Sequence, residues 1–86
     1  MKAQIIKTTG EVIEVEPNNK SDFSLKEMQD IVGGYIEIVH LGNRKCMVVN
    51  EDGVYMNLPL NHKASNMYQR NVILGDVLIC NSNQIK

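Results

Sequence analysis

Apolar and β-branched residues lie on both sides of a short polar turn at the start of the chain. Runs over residues 3–8 and 11–16 flank Thr9 and Gly10, and this pattern predicts a β-hairpin. Pro17 follows the second run. Because proline has no N–H to donate to a ladder, we expect the second strand to end there.

The next segment has the periodicity of an α-helix. Ser24 can cap its start, and Glu27 stands three residues later, as in a capping box. Phosphate-binding loops place glycines before a helix, whereas Gly33 and Gly34 follow this one. We therefore expect Gly33 to close the helix in a left-handed conformation. One apolar stripe marks the inner face: Leu25, Met28, Ile31 and Val32.

Three further strands are predicted after the glycines. Side chains alternate between two faces over residues 35–41, and a polar turn leads to an apolar run over residues 46–50. The sequence "NEDG" then marks a second turn, because Gly53 can adopt a positive φ. The run over residues 54–58 completes a three-strand meander.

The last third of the chain predicts a second helix and a final strand. Asn61 can cap a short helix that extends to residue 70, with Ala64, Met67 and Tyr68 on its inner face. Residues 72–80 predict a strand that is interrupted after Leu74 by a glycine and an aspartate.

These elements together predict an α+β fold, with a largely antiparallel sheet packed by two short helices. The sheet would contain the N-terminal hairpin, the meander and the C-terminal strand. The 86 residues suffice for a single domain over residues 1–86. We expect the polar tail, about residues 81–86, to fray.

Charge and hydropathy exclude some classes of partner. The net charge is −1 and the basic residues are scattered, so we expect no binding to nucleic acid. No apolar run approaches the roughly 18 residues of a membrane span, and the first residues lack the pattern of a signal peptide. Cys46 and Cys80 each lie in an apolar run, which predicts buried, reduced thiols and a cytoplasmic protein.

No catalytic or metal-binding constellation is evident. His40 and His62 share no zinc-type spacing with the cysteines, and no serine lies in a Gly-x-Ser-x-Gly turn. We therefore expect no catalytic residues, no metal and no cofactor, and predict that the protein is not an enzyme.

Amide and aromatic side chains supply the candidate binding residues. Most asparagines flank predicted turns, where their side chains bond nearby backbone. A subset could line one edge of the sheet under the second helix, where it would suit a partner loop or a small polar ligand. These candidates are Tyr35, Glu37, Asn50, Asn57 and Asn61.

Four spaced motifs resemble a family of small domains of unknown function found in phages, conjugative elements and the bacteria that carry them. The motifs are V-G-G-Y-I-E, N-E-x-G, L-P-x-N and I-x-G-D, and the resemblance covers residues 24–80. The family has no assigned catalytic or binding residues to transfer. The resemblance implies a gene that lies among the accessory and anti-defence functions of mobile elements.

Two hypotheses for function follow from these observations. The first is a non-enzymatic accessory protein that binds a host protein, with an exposed strand such as the terminal hairpin forming a homo-oligomer. The alternative is a sponge for a small nucleotide-like signal, formed between subunits. Its only available parts are the aromatic and basic side chains Tyr35, Tyr55, Tyr68, Arg44, Lys45 and Arg70. Mimicry of nucleic acid by an acidic surface is disfavoured by the small net charge.

Overall fold

The computed structural model describes residues 3–69 and 71–85. The described chain forms a five-stranded antiparallel sheet with two α-helices, which confirms the predicted α+β class. In chain order the elements are β1 (Ala3–Ile6), β2 (Val12–Val15), α1 (Leu25–Val32), β3 (Ile36–Gly42), β4 (Lys45–Asn50), α2 (His62–Tyr68), β5 (Val77–Asn81) and a 3₁₀ turn (Ser82–Gln84).

The last strand occupies the centre of the sheet. The strand order is β2-β1-β5-β4-β3, so that β5 pairs with β1 on one side and with β4 on the other. Every residue from Val77 to Cys80 is buried. A central strand covered on both faces needs apolar residues at successive positions, which explains the uninterrupted run "VLIC".

One helix covers each face of the sheet. On the first face, Met28 and Val32 of α1 pack in a cluster with Val48 and Leu78. On the second face, Ala64 of α2 joins a separate cluster, whose buried members include Met47, Val49, Val77 and Ile79. Side chains alternate along β4 and β5, so the same two strands supply both cores. The molecule therefore has three layers.

The capping signals of α1 are confirmed. Glu27 N donates to Ser24 Oγ (3.1 Å), and Ser24 N donates to Glu27 Oε1 (2.9 Å). At the other end Gly33 has φ 81°, in the left-handed region, and its N–H donates to Gln29 O (2.8 Å). The apolar stripe is only partly buried, because Leu25 is 55% exposed.

The prediction of a third strand in the meander, over residues 54–58, is wrong. Residues 51–57 form a succession of turns, and Asn57 has φ 57°, which is incompatible with a strand. The place beside β4 that this strand would occupy is taken by β5. Two buried strands from distant parts of the chain therefore pair, where the sequence pattern predicted a local hairpin.

The C-terminal segment also differs from the prediction. Sheet pairing of the final strand starts at Val77, after Gly75 with φ 84°, so residues 72–76 lie outside β5. Within the tail expected to fray, about residues 81–86, the chain forms the end of β5 and the 3₁₀ turn, and Ile85 bridges to Phe23 and packs against the first core. Lys86 lies outside the described residues.

Replacement of Gly33 tests the C-cap. A Cβ at this position would meet no atom within 4 Å, so the cost of Gly33→Ala comes from the positive φ alone. We expect the free energy of unfolding in urea to fall by about 1 kcal/mol. Gly33→Asn should cost less, because asparagine enters the left-handed region more readily. Equal stability of the alanine variant and the wild type would contradict this explanation.

Candidate partner-binding site

A compact loop projects beyond the end of β4. We call residues 51–57 the tip loop. Met56 N donates to Asp52 O (2.8 Å), and Leu58 N donates to Gly53 O (3.0 Å). Asn57 N also donates to Val54 O (3.0 Å), and the start of the loop is held by bonds from Glu51 N to Tyr35 O and from Gly53 N to Asn50 O. These bonds hold the loop in shape without a neighbouring strand.

The outer side chains of the tip loop are apolar and exposed. Val54 is 81% exposed and Tyr55 is 92% exposed. Tyr35, which precedes β3, is 68% exposed and lines a pocket together with Met56. Exposed aromatic and aliphatic side chains on a soluble surface are common where another protein binds. We call Tyr35, Val54, Tyr55 and Met56 the tip patch.

Asn50 joins the tip loop to the end of α1. Its side chain is buried, with Nδ2 donating to Val32 O (3.0 Å) and Oδ1 accepting from Asp52 N (2.8 Å). One amide thus satisfies a terminal carbonyl of the helix and a turn N–H of the loop. A Cβ on Gly34 would lie 3.0 Å from Asn50 Nδ2, so a glycine at this position allows the close approach.

Acidic side chains surround the tip patch on both faces of the sheet. Asp30 and Asp52 line the pocket on the α1 face. Glu37 and Glu51 line a second pocket of about 210 Å³ on the α2 face. We call these four carboxylates the acidic rim. None of the described residues that line either pocket is a lysine or an arginine.

The structure brings together only part of the predicted site. Tyr35, Glu37 and Asn50 lie near the tip loop, although Asn50 is buried and supports the surface from beneath. Asn57 is exposed at the end of the loop. Asn61 lines neither pocket.

Asn61 has a structural role. It is fully buried and is the N-cap of α2, as predicted, with Oδ1 accepting from Ala64 N (3.1 Å). Its Nδ2 donates to Ile6 O and to Gly75 O, each at 2.9 Å. Because its side-chain donors and acceptor are occupied, we exclude Asn61 from the binding surface.

The sequence did not predict that Val54 and Tyr55 lie together on an exposed loop, and Tyr55 was a candidate only for the nucleotide sponge. Val54 and Tyr55 are β-formers that follow a turn signal, and this pattern predicts a strand. The signal against a strand was its length, since the segment is confined between Gly53 and the turn-forming Asn57, with Pro59 two residues beyond.

A second cluster of chemical interest lies in the sheet. Cys46 faces His40 on β3 and Cys80 on β5, and Cys46 Sγ lies 3.4 Å from His40 Nδ1. Burial raises the pKa of Cys46, and burial followed by repulsion from Cys46 raises the pKa of Cys80 to about 11. Activated cysteine nucleophiles have lowered pKa values, so these thiols have the opposite character.

In residues 3–69 and 71–85, no group of three or more His, Cys, Asp or Glu side chains is arranged to hold a metal ion. No helix in this part of the chain is both long and apolar enough to cross a membrane.

Substitution of Asn50 tests its support of the tip loop. Asn50→Asp keeps the acceptor for Asp52 N but replaces the donor to Val32 O with a buried carboxylate oxygen. We expect the free energy of unfolding to fall by about 2 kcal/mol. Asn57→Asp makes the same chemical change at an exposed position and should stay within about 0.5 kcal/mol of the wild type. Equal losses in the two variants would contradict the role of Asn50.

The raised pKa of Cys80 predicts a loss of stability at alkaline pH. The folded state holds the thiol proton up to about pH 11, whereas the unfolded state releases it near the ordinary pKa of 9.0. The protonated thiol therefore contributes to the free energy of unfolding. This contribution is fully present below pH 9 and is lost as the pH rises towards 11, by at most roughly 2–3 kcal/mol. Urea titrations over this range should give a shallower decline for Cys80→Ala. An identical pH dependence in that variant would refute the assignment.

Comparison with known proteins identifies a family for this chain. No curated protein and no solved structure matched it. A family model described as "Domain of unknown function (DUF3846)" matched residues 1–85, which is nearly the whole chain. The chain therefore belongs to the DUF3846 family.

Proposed function

We propose that this protein is a non-enzymatic binding domain, and that a phage or conjugative element uses it to bind a protein of its bacterial host. The observation that carries the proposal is the tip patch on an ordered loop. Val54 and Tyr55 are almost fully exposed there, beside Tyr35. Exposing such side chains to water is unfavourable unless they are buried in a complex.

The order of the tip loop favours protein binding. Internal backbone bonds and the buried Asn50 amide hold the loop in place. A preformed loop loses little conformational entropy on association, so more of the contact energy contributes to affinity. Tyrosine is well suited to such a contact, because it brings a large apolar area and a hydroxyl on a side chain with few rotamers.

The acidic rim indicates the charge of the partner. Asp30 and Asp52 lie on one face, and Glu37 and Glu51 on the other, so the patch is bordered by negative charge on both sides. A host protein with an apolar pocket surrounded by lysine or arginine would be complementary. Charges of this kind mainly increase the association rate, and salt weakens their effect.

The genetic setting of the proposal rests on the sequence motifs. The V-G-G-Y-I-E, N-E-x-G, L-P-x-N and I-x-G-D motifs resemble those of domains carried by phages and conjugative elements. Accessory genes of such elements include counter-defence functions, so the proposed target is a host defence protein in the bacterial cytoplasm.

A phosphate-containing ligand suits this surface poorly. Arg44 and Lys45 lie at the β3–β4 turn, which is the end of that hairpin opposite Tyr35. Tyr68 packs against the core of the second face, and Arg70 lies outside the described residues. The carboxylates of the acidic rim would repel a phosphate group. The separation of Arg44 and Lys45 from Tyr35, together with the acidic rim, favours the protein partner over the nucleotide sponge.

Capture from host lysate tests the proposal. The wild type, Val54→Ser/Tyr55→Ser and the control Leu25→Ser should all fold, because each change is at an exposed side chain. We expect the wild type and Leu25→Ser to retain the same host protein, and the double variant to lose it. With the purified partner, the dissociation constant should rise at least tenfold, or about 1.4 kcal/mol.

Two outcomes would contradict the proposal. The first is equal affinity of the wild type and the double variant for every captured protein. The second is a large rise in melting temperature with a linear or cyclic nucleotide, undiminished in the double variant, which would support the sponge instead.

A further inference from the structure

The two edges of the sheet differ in how they are protected. At one edge, β2 has four residues and is flanked by glutamates and a proline, which are features that prevent edge pairing. At the other edge, β3 has seven residues, contains no proline or lysine, and carries Glu37 as its only carboxylate. Pairing with another chain is therefore easier at β3 than at the terminal hairpin.

The hydrogen-bond alternation of β3 identifies its free backbone groups. Glu51 N donates to Tyr35 O (2.9 Å), and β3 and β4 keep one register from Ile36 to His40. In an antiparallel pair only alternate residues bond to the neighbour. Those residues are Glu37 and Val39, so the N–H and C=O groups of Ile36, Ile38 and His40 point away from β4. Within residues 3–69 and 71–85, no backbone hydrogen bond to these groups is found.

We propose that β3 pairs with β3 of a second copy of this chain, antiparallel and about a twofold axis at Ile38. Ile38 then lies opposite Ile38 of the other copy, and Ile36 lies opposite His40. In this register every outward backbone group between Ile36 and His40 meets a complementary group. The result is one continuous sheet through both copies.

The charges of β3 select this register over its neighbours. When a twofold axis perpendicular to the sheet relates the two strands, residues opposite each other must point to the same face of the sheet. The axis can therefore move only by whole residues along β3. An axis at Glu37 would oppose two carboxylates, which is unfavourable. An axis at Val39 would place Ile36 opposite Gly42, beyond the irregularity in the strand. With the axis at Ile38, Glu37 lies opposite Val39 and no like charges face each other.

Apolar side chains beside the edge add to the backbone pairing. Ile38 is 37% exposed and would meet its counterpart across the axis. On the other face, Met67 of α2 is 44% exposed and lines a pocket with His40 and Leu41. Burial of this surface supplies a hydrophobic contribution that hydrogen bonds alone lack.

The pairing would also make the assembly bivalent. In this register Tyr35 of one copy lies opposite Leu41 of the other, so the two tyrosines are about 20 Å apart along the strands, at about 3.4 Å per residue. The two tip loops then lie at opposite ends of the interface, where neither obstructs the pairing.

Matched substitutions at the two edges test the interface. Ile38→Lys places two like charges at the axis, whereas Val12→Lys makes the corresponding change at the edge formed by β2, where Val12 is 43% exposed. Sedimentation should show a dimer for the wild type and Val12→Lys, and a dissociation constant at least tenfold higher for Ile38→Lys. A monomeric wild type at all concentrations, or dissociation caused only by Val12→Lys, would overturn the proposal.

Hydrogen exchange provides a measurement that needs no variant. The amide protons of Ile36, Ile38 and His40 should exchange more slowly as the protein concentration rises, while exchange within the tip loop stays constant. Exchange rates independent of concentration would count against the pairing even if the wild type were a dimer. Val54→Ser/Tyr55→Ser should remain dimeric, so that the outcome is separate from partner binding at the tip patch.

Discussion

Burial of β5 on both faces is the constraint on which the rest of the structure depends. Val77 and Ile79 point to one core, while Leu78 and Cys80 point to the other. A central strand with no polar face must be covered from both sides, so each helix has to reach the sheet. The strand also joins β1 from the start of the chain to β4 from its middle, which makes the fold dependent on contacts distant in sequence.

Two buried asparagines satisfy the backbone where the helices meet this sheet. Asn50 accepts from the tip loop and donates to the last turn of α1, and Asn61 caps α2 and donates to the end of β1. In residues 3–69 and 71–85, no buried side-chain nitrogen or oxygen lacks a hydrogen-bond partner. The amide is well matched to this role, because it offers both donors and an acceptor without a charge to desolvate.

Local signals in the sequence were sufficient for the elements whose stabilising contacts are local. The capping box at Ser24, the left-handed Gly33 and the Asn61 cap each depend on residues within one helical turn. The position of β5 could not be predicted in this way, since periodicity shows that a strand is buried but does not identify its neighbours. Periodicity also does not show that the Asn61 side chain donates to Ile6 O, 55 positions earlier in the chain.

The candidate site was predictable to the extent that it lies on regular structure. Tyr35 and Glu37 were found because they begin a clear strand. The placement of Val54 and Tyr55 on a loop was not predicted, because their β-propensity is outweighed by hydrogen bonds of the tip loop. Propensity measures how well a side chain fits a sheet. It does not show whether a strand has a neighbour to pair with, and here both sides of β4 are already paired, with β3 and β5.

The geometry of β3 allows the tip patch and the proposed dimer edge to function independently. The carbonyl of Tyr35 accepts from Glu51 and so binds the tip loop to the sheet, while the next residue directs its backbone outward. The backbone N–H and C=O groups of odd-numbered residues in β3 therefore bond to β4, and those of even-numbered residues point to the free edge. Because the two sets of groups never compete, a partner at the tip loop and a second copy at the edge can be bound together. Two-site binding of this kind raises the effective concentration of the second contact, provided that the target also presents its sites in pairs.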